Sequence, residues 1–289
     1  MSKDIKIKKG LNIRLKGEAS KTLSNAPRSK TYVIRPSEFP LITPKLNVKE
    51  GAKVQAGDVL FYSKTNEAIK FVSPVSGNLI AIQRGAKRVI AELIIEADQK
   101  DTYRDNGVVN VSSMNSDEIK NHLLATGCWA FVKQRPYDVI ANPDVKPKAI
   151  FISALTTAPL AADYDFTLLG KEKELQAAVT AFSKLTDGSV NVSVGKNSKS
   201  VFEGLNDITV YKMTGVHPAG NVGTLINKVD PVNKGEVIWT ITPQDLVIIG
   251  ALFLTGKFNA KRVIALSGSS LKNPKYYTAK IGAEVSTFI

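Results

Sequence analysis

Between Pro44 and Glu96 the chain is punctuated so regularly that little besides a small antiparallel β-unit accommodates it. Pro44-Lys-Leu-Asn-Val-Lys-Glu-Gly-Ala-Lys-Val-Gln-Ala-Gly-Asp-Val-Leu-Phe alternates apolar with polar residues, and Gly51 and Gly57 fall where the alternation breaks. A period of two puts one set of side chains on one face of a strand. Glycine at the breaks supplies the backbone conformations that tight turns need. Ile69-Lys-Phe-Val-Ser-Pro-Val-Ser-Gly-Asn-Leu-Ile-Ala-Ile and Arg88-Val-Ile-Ala-Glu-Leu-Ile-Ile-Glu continue the pattern, with Pro74 and Gly77 bracketing a return strand.

The order V-x-E-G-x-x-V-x-x-G-D-x-L-F, a hairpin, then V-S-P-V-S-G-x-L resembles the flattened barrel of biotinyl and lipoyl carrier domains. Such carriers modify one lysine at an exposed hairpin tip. The corresponding stretch, Phe61-Tyr-Ser-Lys-Thr-Asn-Glu-Ala-Ile-Lys, has neither Met-Lys-Met nor Asp-Lys, and Lys64 sits in the wrong context. The resemblance therefore implies the carrier fold used as a docking module without its cargo.

Beyond about residue 116 the period changes. Ser116-Asp-Glu-Ile-Lys-Asn-His-Leu-Leu-Ala-Thr-Gly predicts a short helix capped at Ser116 and stopped at Gly127. Strand-like runs at Ala149–Ala154, Val190–Val194, Ile208–Met213 and Val263–Gly268 alternate with helical patterns at Lys171–Lys184, Ser198–Leu205 and Gln244–Gly256. That alternation predicts an α/β domain with a parallel sheet. The apolar run Leu246–Leu254 is too short for the ~20 residues of a membrane span, and the N-terminus has no apolar core of a signal peptide.

Composition narrows the chemistry. One cysteine, Cys128, excludes an internal disulfide framework, a multi-cysteine zinc site and a self-contained iron–sulfur centre. His122 and His217 lie far apart, so no metal site is expected. Of the net charge of +13, residues 1–100 carry most, with 19 basic and 9 acidic side chains. A solvated basic face, an anionic membrane surface and acidic protein partners all suit that surplus. Nucleic acid does not, because helix-turn-helix, RNP and Cys/His-finger signatures are missing.

Catalytic constellations are equally sparse. Neither G-x-G-x-x-G nor a Walker A motif occurs. Gly215-Val-His-Pro-Ala-Gly-Asn-Val-Gly, following a strand, is the candidate ligand loop, with His217, Pro218, Gly220 and Gly223 as its residues. The same glycines also suit an ordinary turn. His217 is the one acid–base candidate there, without a carboxylate partner in sequence. Cys128 reads as a small buried hydrophobe, Asp163 and Asp165 as a solvated pair, and Trp129, Phe131 and Trp239 as core or interface anchors.

Several stretches, in order along nearly the whole chain, carry one resemblance: Ile5-Lys-Ile-Lys-Lys-Gly-Leu, Ile82-Gln-Arg-Gly-Ala-Lys-Arg, Leu123-Leu-Ala-Thr-Gly-Cys-Trp, Gln134-Arg-Pro-Tyr, Ala158-Pro-Leu-Ala-Ala-Asp, His217-Pro-Ala-Gly-Asn-Val-Gly-Thr, Val237-Ile-Trp and Gln244-Asp-Leu-Val-Ile-Ile-Gly. They resemble the A-subunit family of the sodium-translocating NADH:quinone reductase. The resemblance implies a carrier-like module (1–100), then a Rossmann-like α/β domain similar to the flavin subunit of respiratory complex I (101–255). It implies that 256–289 is the end of that domain or the start of a truncated β-grasp domain, the chain stopping short of the family's C-terminal region. It implies a peripheral subunit on the cytoplasmic face of the bacterial inner membrane, supporting electron transfer to quinone and Na⁺ export mainly by docking. Direct ubiquinone binding is the alternative.

No cofactor is expected on this chain and no catalysis by it alone. The complex is expected to use FAD, FMN, riboflavin, an iron–sulfur cluster and ubiquinone, with the other subunits as partners. Two departures stand out. Val216 precedes His217 where the family tends to have proline, and Gly223-Thr-Leu-Ile-Asn replaces a histidine-containing stretch. His217 is then the one histidine left for any proton role in this loop.

Overall fold

The computed structural model describes residues 3–288; residues 1–2 and 289, the ends of the first and last predicted segments, lie outside the described residues. The glycine-punctuated region forms two small antiparallel sheets. One orders β3 (Thr31–Ile34), β9 (Ile90–Ala97), β8 (Gly77–Arg84) and β5 (Lys53–Val54); the other orders β4 (Pro44–Leu46), β6 (Val59–Ser63) and β7 (Lys70–Val72). Their inward residues, Leu60, Phe61, Phe71, Val75, Leu79, Leu93 and Ile95, are buried together. Phe61 and Phe71 stack with centroids 4.5 Å apart, and Phe39 tilts onto Phe71. Gly51 (φ +84°) and Gly57 (φ +95°) occupy the left-handed conformations expected at the turns. Lys64 lies exposed in the turn between β6 and β7.

The α/β region is a seven-stranded sheet ordered β1 (Lys3–Ile7), β14 (Thr209–Gly215), β13 (Val190–Gly195), β12 (Ile150–Ser153), β15 (Ile238–Thr240), β10 (Lys133–Arg135) and β11 (Val139–Ile140). The first five are parallel; β10 and β11 are antiparallel additions. Successive strand residues point to opposite faces, so the sheet carries two cores. Ile150, Ile152, Val192 and Val194 meet α3 (Glu172–Ser183) and α5 (Pro243–Thr255), while Phe151, Tyr211, Met213 and Ile238 meet α4 (Val222–Val229). Helices thus cover both faces, as buried parallel strands require. Gly250 permits the close crossing of α5 on α3: a Cβ there would lie 1.7 Å from the Glu174 carbonyl oxygen.

Several expectations shift. The short helix α1 (Ser116–Ala125) is capped by Asn115, not Ser116. Asn115 Oδ1 accepts the Glu118 N–H (3.0 Å) and the Glu118 carboxylate accepts the Asn115 N–H (2.8 Å), a reciprocal box that a serine one residue later has no reach to make. Ser198–Leu205 is not a helix; a single 3₁₀ turn spans Val201–Gly204. Val263–Gly268 is not a buried strand of the parallel sheet. β16 (Lys261–Leu266) is half-buried and pairs with β17 (Lys275–Lys280), which pairs in turn with β2 (Ser20–Asn25). The N-terminal segment therefore divides between two sheets outside the barrel, β1 in the large one and β2 in the small one. Asp163 is no solvated bystander: it caps the short α2 (Tyr164–Thr167) and pairs with Lys21.

Candidate functional site

Chain order around β12 decides where a cavity opens. From β12 the chain winds outward through α2 and α3 to β13 and β14, then crosses back by α4 to β15 on the other side of β12. Loops leaving the carboxyl ends of β12 and β15 therefore diverge, and a crevice at such a switch point is the usual ligand position in open α/β sheets. Here it holds a cavity of about 790 Å³.

Its walls come from separated segments. Ser153, Leu155 and Thr156 follow β12, Thr240 to Pro243 follow β15, Gly220 to Gly223 lead into α4, and Lys133 and Arg135 stand on β10. Glu38 and Phe39 reach in from the barrel, and Arg262 and Ile281 from the small C-terminal sheet. Phe131 and Tyr164 add aromatic surface.

Most charges on this wall are paired. Asp245, 5% exposed, sits at the third position of α5. It accepts from Thr242 Oγ1 (2.6 Å) and from the Arg262 guanidinium. Burial pushes its carboxyl above the usual range against the pull of Arg262 and Thr242. Arg135 pairs with Asp138 at 3.4 Å. Lys133 has no ion-pair partner among the described residues, and desolvation draws its ammonium below the ordinary lysine value.

The predicted loop divides. Gly220 and Gly223 line the cavity, whereas His217 and Pro218 hold the loop from behind. Thr157 Oγ1 accepts the Gly220 N–H (2.8 Å) and is hydrogen-bonded to His217 Nδ1 at 3.1 Å, the histidine tautomer deciding which of the two donates. Ser153 Oγ donates to the Gly220 carbonyl (2.8 Å), and Thr224 Oγ1 donates to the Pro218 carbonyl (2.9 Å). On its outer side His217 donates its N–H to Asn12 Oδ1 and accepts the Leu11 N–H. A Cβ on Gly220 would lie 2.7 Å from the Leu155 carbonyl oxygen, so no other residue fits that contact. The spot where Gly223 would carry a Cβ is open space.

Cys128 is fully buried, and burial pushes its thiol up to about 12, far from a nucleophile's range. Trp129 and Trp239 pack edge to face at 5.1 Å in the core, and Trp129 Nε1 donates to the Ala141 carbonyl. Phe131 does more than anchor, since it faces the cavity. Lys133, Thr240, Tyr164 and Arg262 escaped the sequence reading. Gln134-Arg-Pro-Tyr and Val237-Ile-Trp flank two of them, and locating β15 as a strand would have exposed both.

Fold and cavity together define a class: a carrier-type barrel joined to a doubly wound α/β domain with a ligand-sized crevice at its switch point. No helix among the described residues is long and apolar enough to cross a membrane. The family model described as the NqrA N-terminal barrel-sandwich hybrid domain matches residues 5–98, and that described as the NqrA second alpha/beta domain matches residues 114–258. The chain belongs to the NqrA family. It is 34% identical over 287 residues to the A subunit of the Na(+)-translocating NADH-quinone reductase of Neisseria meningitidis serogroup A, and 33% identical to those of Alcanivorax borkumensis and Actinobacillus pleuropneumoniae serotype 5b. Each alignment covers 98% of this chain and 64% of the relative, so the chain spans somewhat under two-thirds of their length.

Proposed function

We propose that this chain is a peripheral subunit of a Na⁺-translocating NADH:quinone reductase, seated on the cytoplasmic face of the bacterial inner membrane. There it supports electron transfer to quinone and Na⁺ export through docking to the other subunits. The observation that carries this reading is the two NqrA domains in family order, aligned with A-subunit relatives over 98% of the chain. The basic surplus of residues 1–100 suits docking against acidic partner surfaces or anionic headgroups. In this reading the α/β domain is Rossmann-like and similar to the flavin subunit of complex I. The divisions fall near residues 100 and 255, except that β1 lies in the α/β sheet and β2 with β16 and β17, which end that domain or open a further unit. The redox groups of the complex, namely FAD, FMN, riboflavin and an iron–sulfur cluster, belong to the other subunits.

The test is fractionation of cells expressing the chain with and without the remaining subunits. The chain should sediment with membranes only alongside them, and should be released between ~50 and ~500 mM salt as screening rises. Recovery in the soluble fraction under both conditions would overturn the reading.

A second reading, ubiquinone binding by this chain, is favoured by the mixed wall of the cavity. Phe131, Tyr164 and Leu155 give it aromatic and apolar surface, beside hydroxyl and charged side chains of the kind that meet ring oxygens. Short-chain ubiquinone should then quench the fluorescence of Trp239, the neighbour of cavity-lining Thr240, with saturation.

A further inference from the structure

The cavity at the ends of β12 and β15 is furnished with free hydrogen-bond donors and very little that would accept from a ligand. Its carboxylates are already engaged, Asp245 by Arg262 and Thr242, Asp138 by Arg135, and Glu38 by Arg35 at 3.7 Å. Lys133, half-buried on the wall, is the cation left over among the described residues. Thr240 is 6% exposed, lines the same wall, and its hydroxyl has no hydrogen-bond partner among the described residues. At the start of α4 the Asn221 side chain makes no capping bond. The Val222 and Gly223 N–H groups precede the first intrahelical bonds, which begin at Thr224. Gly223 lines the cavity and presents open space where a side chain would stand.

We propose that this cavity binds a phosphate-bearing ligand with a planar ring, a molecule of the mononucleotide class. The phosphoryl oxygens would lie at the Gly223 end of α4, where helix-terminal N–H groups and the positive end of the helix dipole favour an anion. Lys133 would supply the compensating charge. Phe39, Phe131 and Tyr164 offer the faces and edges against which a ring packs. A volume of about 790 Å³ suits a ligand of that size. A neutral quinone ring would fill the space but leave Lys133 without a counter-charge, which is why an anion fits this wall better. The inference does not depend on membership of the reductase, and it competes with quinone binding at the same place.

Titration calorimetry of the full chain with 5′-nucleoside monophosphates, flavin mononucleotide and inorganic phosphate tests it. Adenosine and riboflavin serve as phosphate-free controls and a short-chain ubiquinone as the neutral competitor. At least one phosphate-bearing ring should bind saturably below ~1 mM, and its phosphate-free partner about tenfold more weakly, as loss of a charge-assisted contact requires. Lys133→Met should weaken binding about tenfold, and Lys133→Arg should keep most of it, since the charge is retained. Gly223→Val fills space that the fold leaves open and should block binding without unfolding the protein, as circular dichroism would report. Three outcomes overturn the proposal: no saturable binding by any phosphate compound; binding indifferent to both Lys133→Met and Gly223→Val; or tight ubiquinone binding that phosphate compounds do not displace. The last would favour the quinone reading.

Discussion

Replacing Asp101 with asparagine removes the carboxylate on which three parts of the molecule converge. Its Oδ1 accepts from Arg28 (2.8 Å), ahead of β3, and from the Ser76 N–H (3.0 Å) in the barrel. Its Oδ2 accepts from Arg28 again (3.1 Å) and from Lys280 at the end of β17. The side chains of Asp101 and Lys280 are 7% and 8% exposed. Burial works against the charge on Asp101, but the hydrogen bonds from Arg28, Lys280 and Ser76 outweigh it and hold the carboxyl at about 2, against an ordinary 3.8. At ~1.4 kcal/mol per unit, that depression is worth about 2 kcal/mol.

The neutral amide would also strand Lys280 in a nearly closed site, and breaking a buried pair costs ~3–5 kcal/mol. Since Arg28 is 29% exposed and keeps some solvation, we expect a loss of ~3 kcal/mol at pH 7. Because the folded carboxyl titrates below its unfolded value, its stabilisation is complete above about pH 4 and is lost as pH falls toward 2. Urea unfolding of wild type and Asp101→Asn at stepped pH should show two curves that converge over that interval. Asp101→Asn with Lys280→Met should recover part of the loss, because no unpaired charge remains. A difference under ~1 kcal/mol at pH 7, or a gap undiminished at acid pH, would refute the argument.

Gly250→Ala should force α3 and α5 apart, since the added Cβ would sit 1.7 Å from a backbone oxygen. A cost of ~3 kcal/mol, seen as a melting temperature lower by roughly 6–10 °C, is expected, and an unchanged melting temperature would contradict the crossing. Cys128, fully buried with its thiol pushed up to about 12, should resist a water-soluble thiol reagent at pH 8 until denaturant is added. Rapid native labelling would show that the thiol is reachable.

Where local chemistry sets the structure, the sequence was a sufficient guide. Gly51 and Gly57 mark turns because their φ values exclude most other residues. The Gln244–Gly256 run reads as a helix because nothing in it breaks one, and Gly256 supplies its left-handed cap. Sheet membership escaped because partners far apart in sequence decide it. Nothing in Lys3–Ile7 announces that Ile5 will face Met213. β16 reads as a core strand because Val263 to Leu266 are all apolar, yet its neighbours are β17 and, through it, β2. The candidate site fared likewise. A glycine loop is visible in a single stretch, and Gly220 and Gly223 do reach the cavity. Lys133, Thr240 and Arg262 are individually ordinary and meet only because three separate strands end at one place.

The placement of β1 makes the barrel an insertion rather than a leading module. The α/β sheet begins before the barrel, at Lys3–Ile7, and resumes after it. One cut near residue 100 therefore does not yield two self-sufficient halves. The C-terminal piece would lose its edge strand and present the backbone of β14, Thr209–Gly215, as an open template for another chain. During synthesis Ile5 and Ile7 must wait unpaired until more than two hundred further residues have left the ribosome. The barrel can form its ladders first, because they lie within Thr31–Ala97; the late contact of β3 with the C-terminal segment, at Tyr32–Ala283 and Val33–Gly282, is added afterwards.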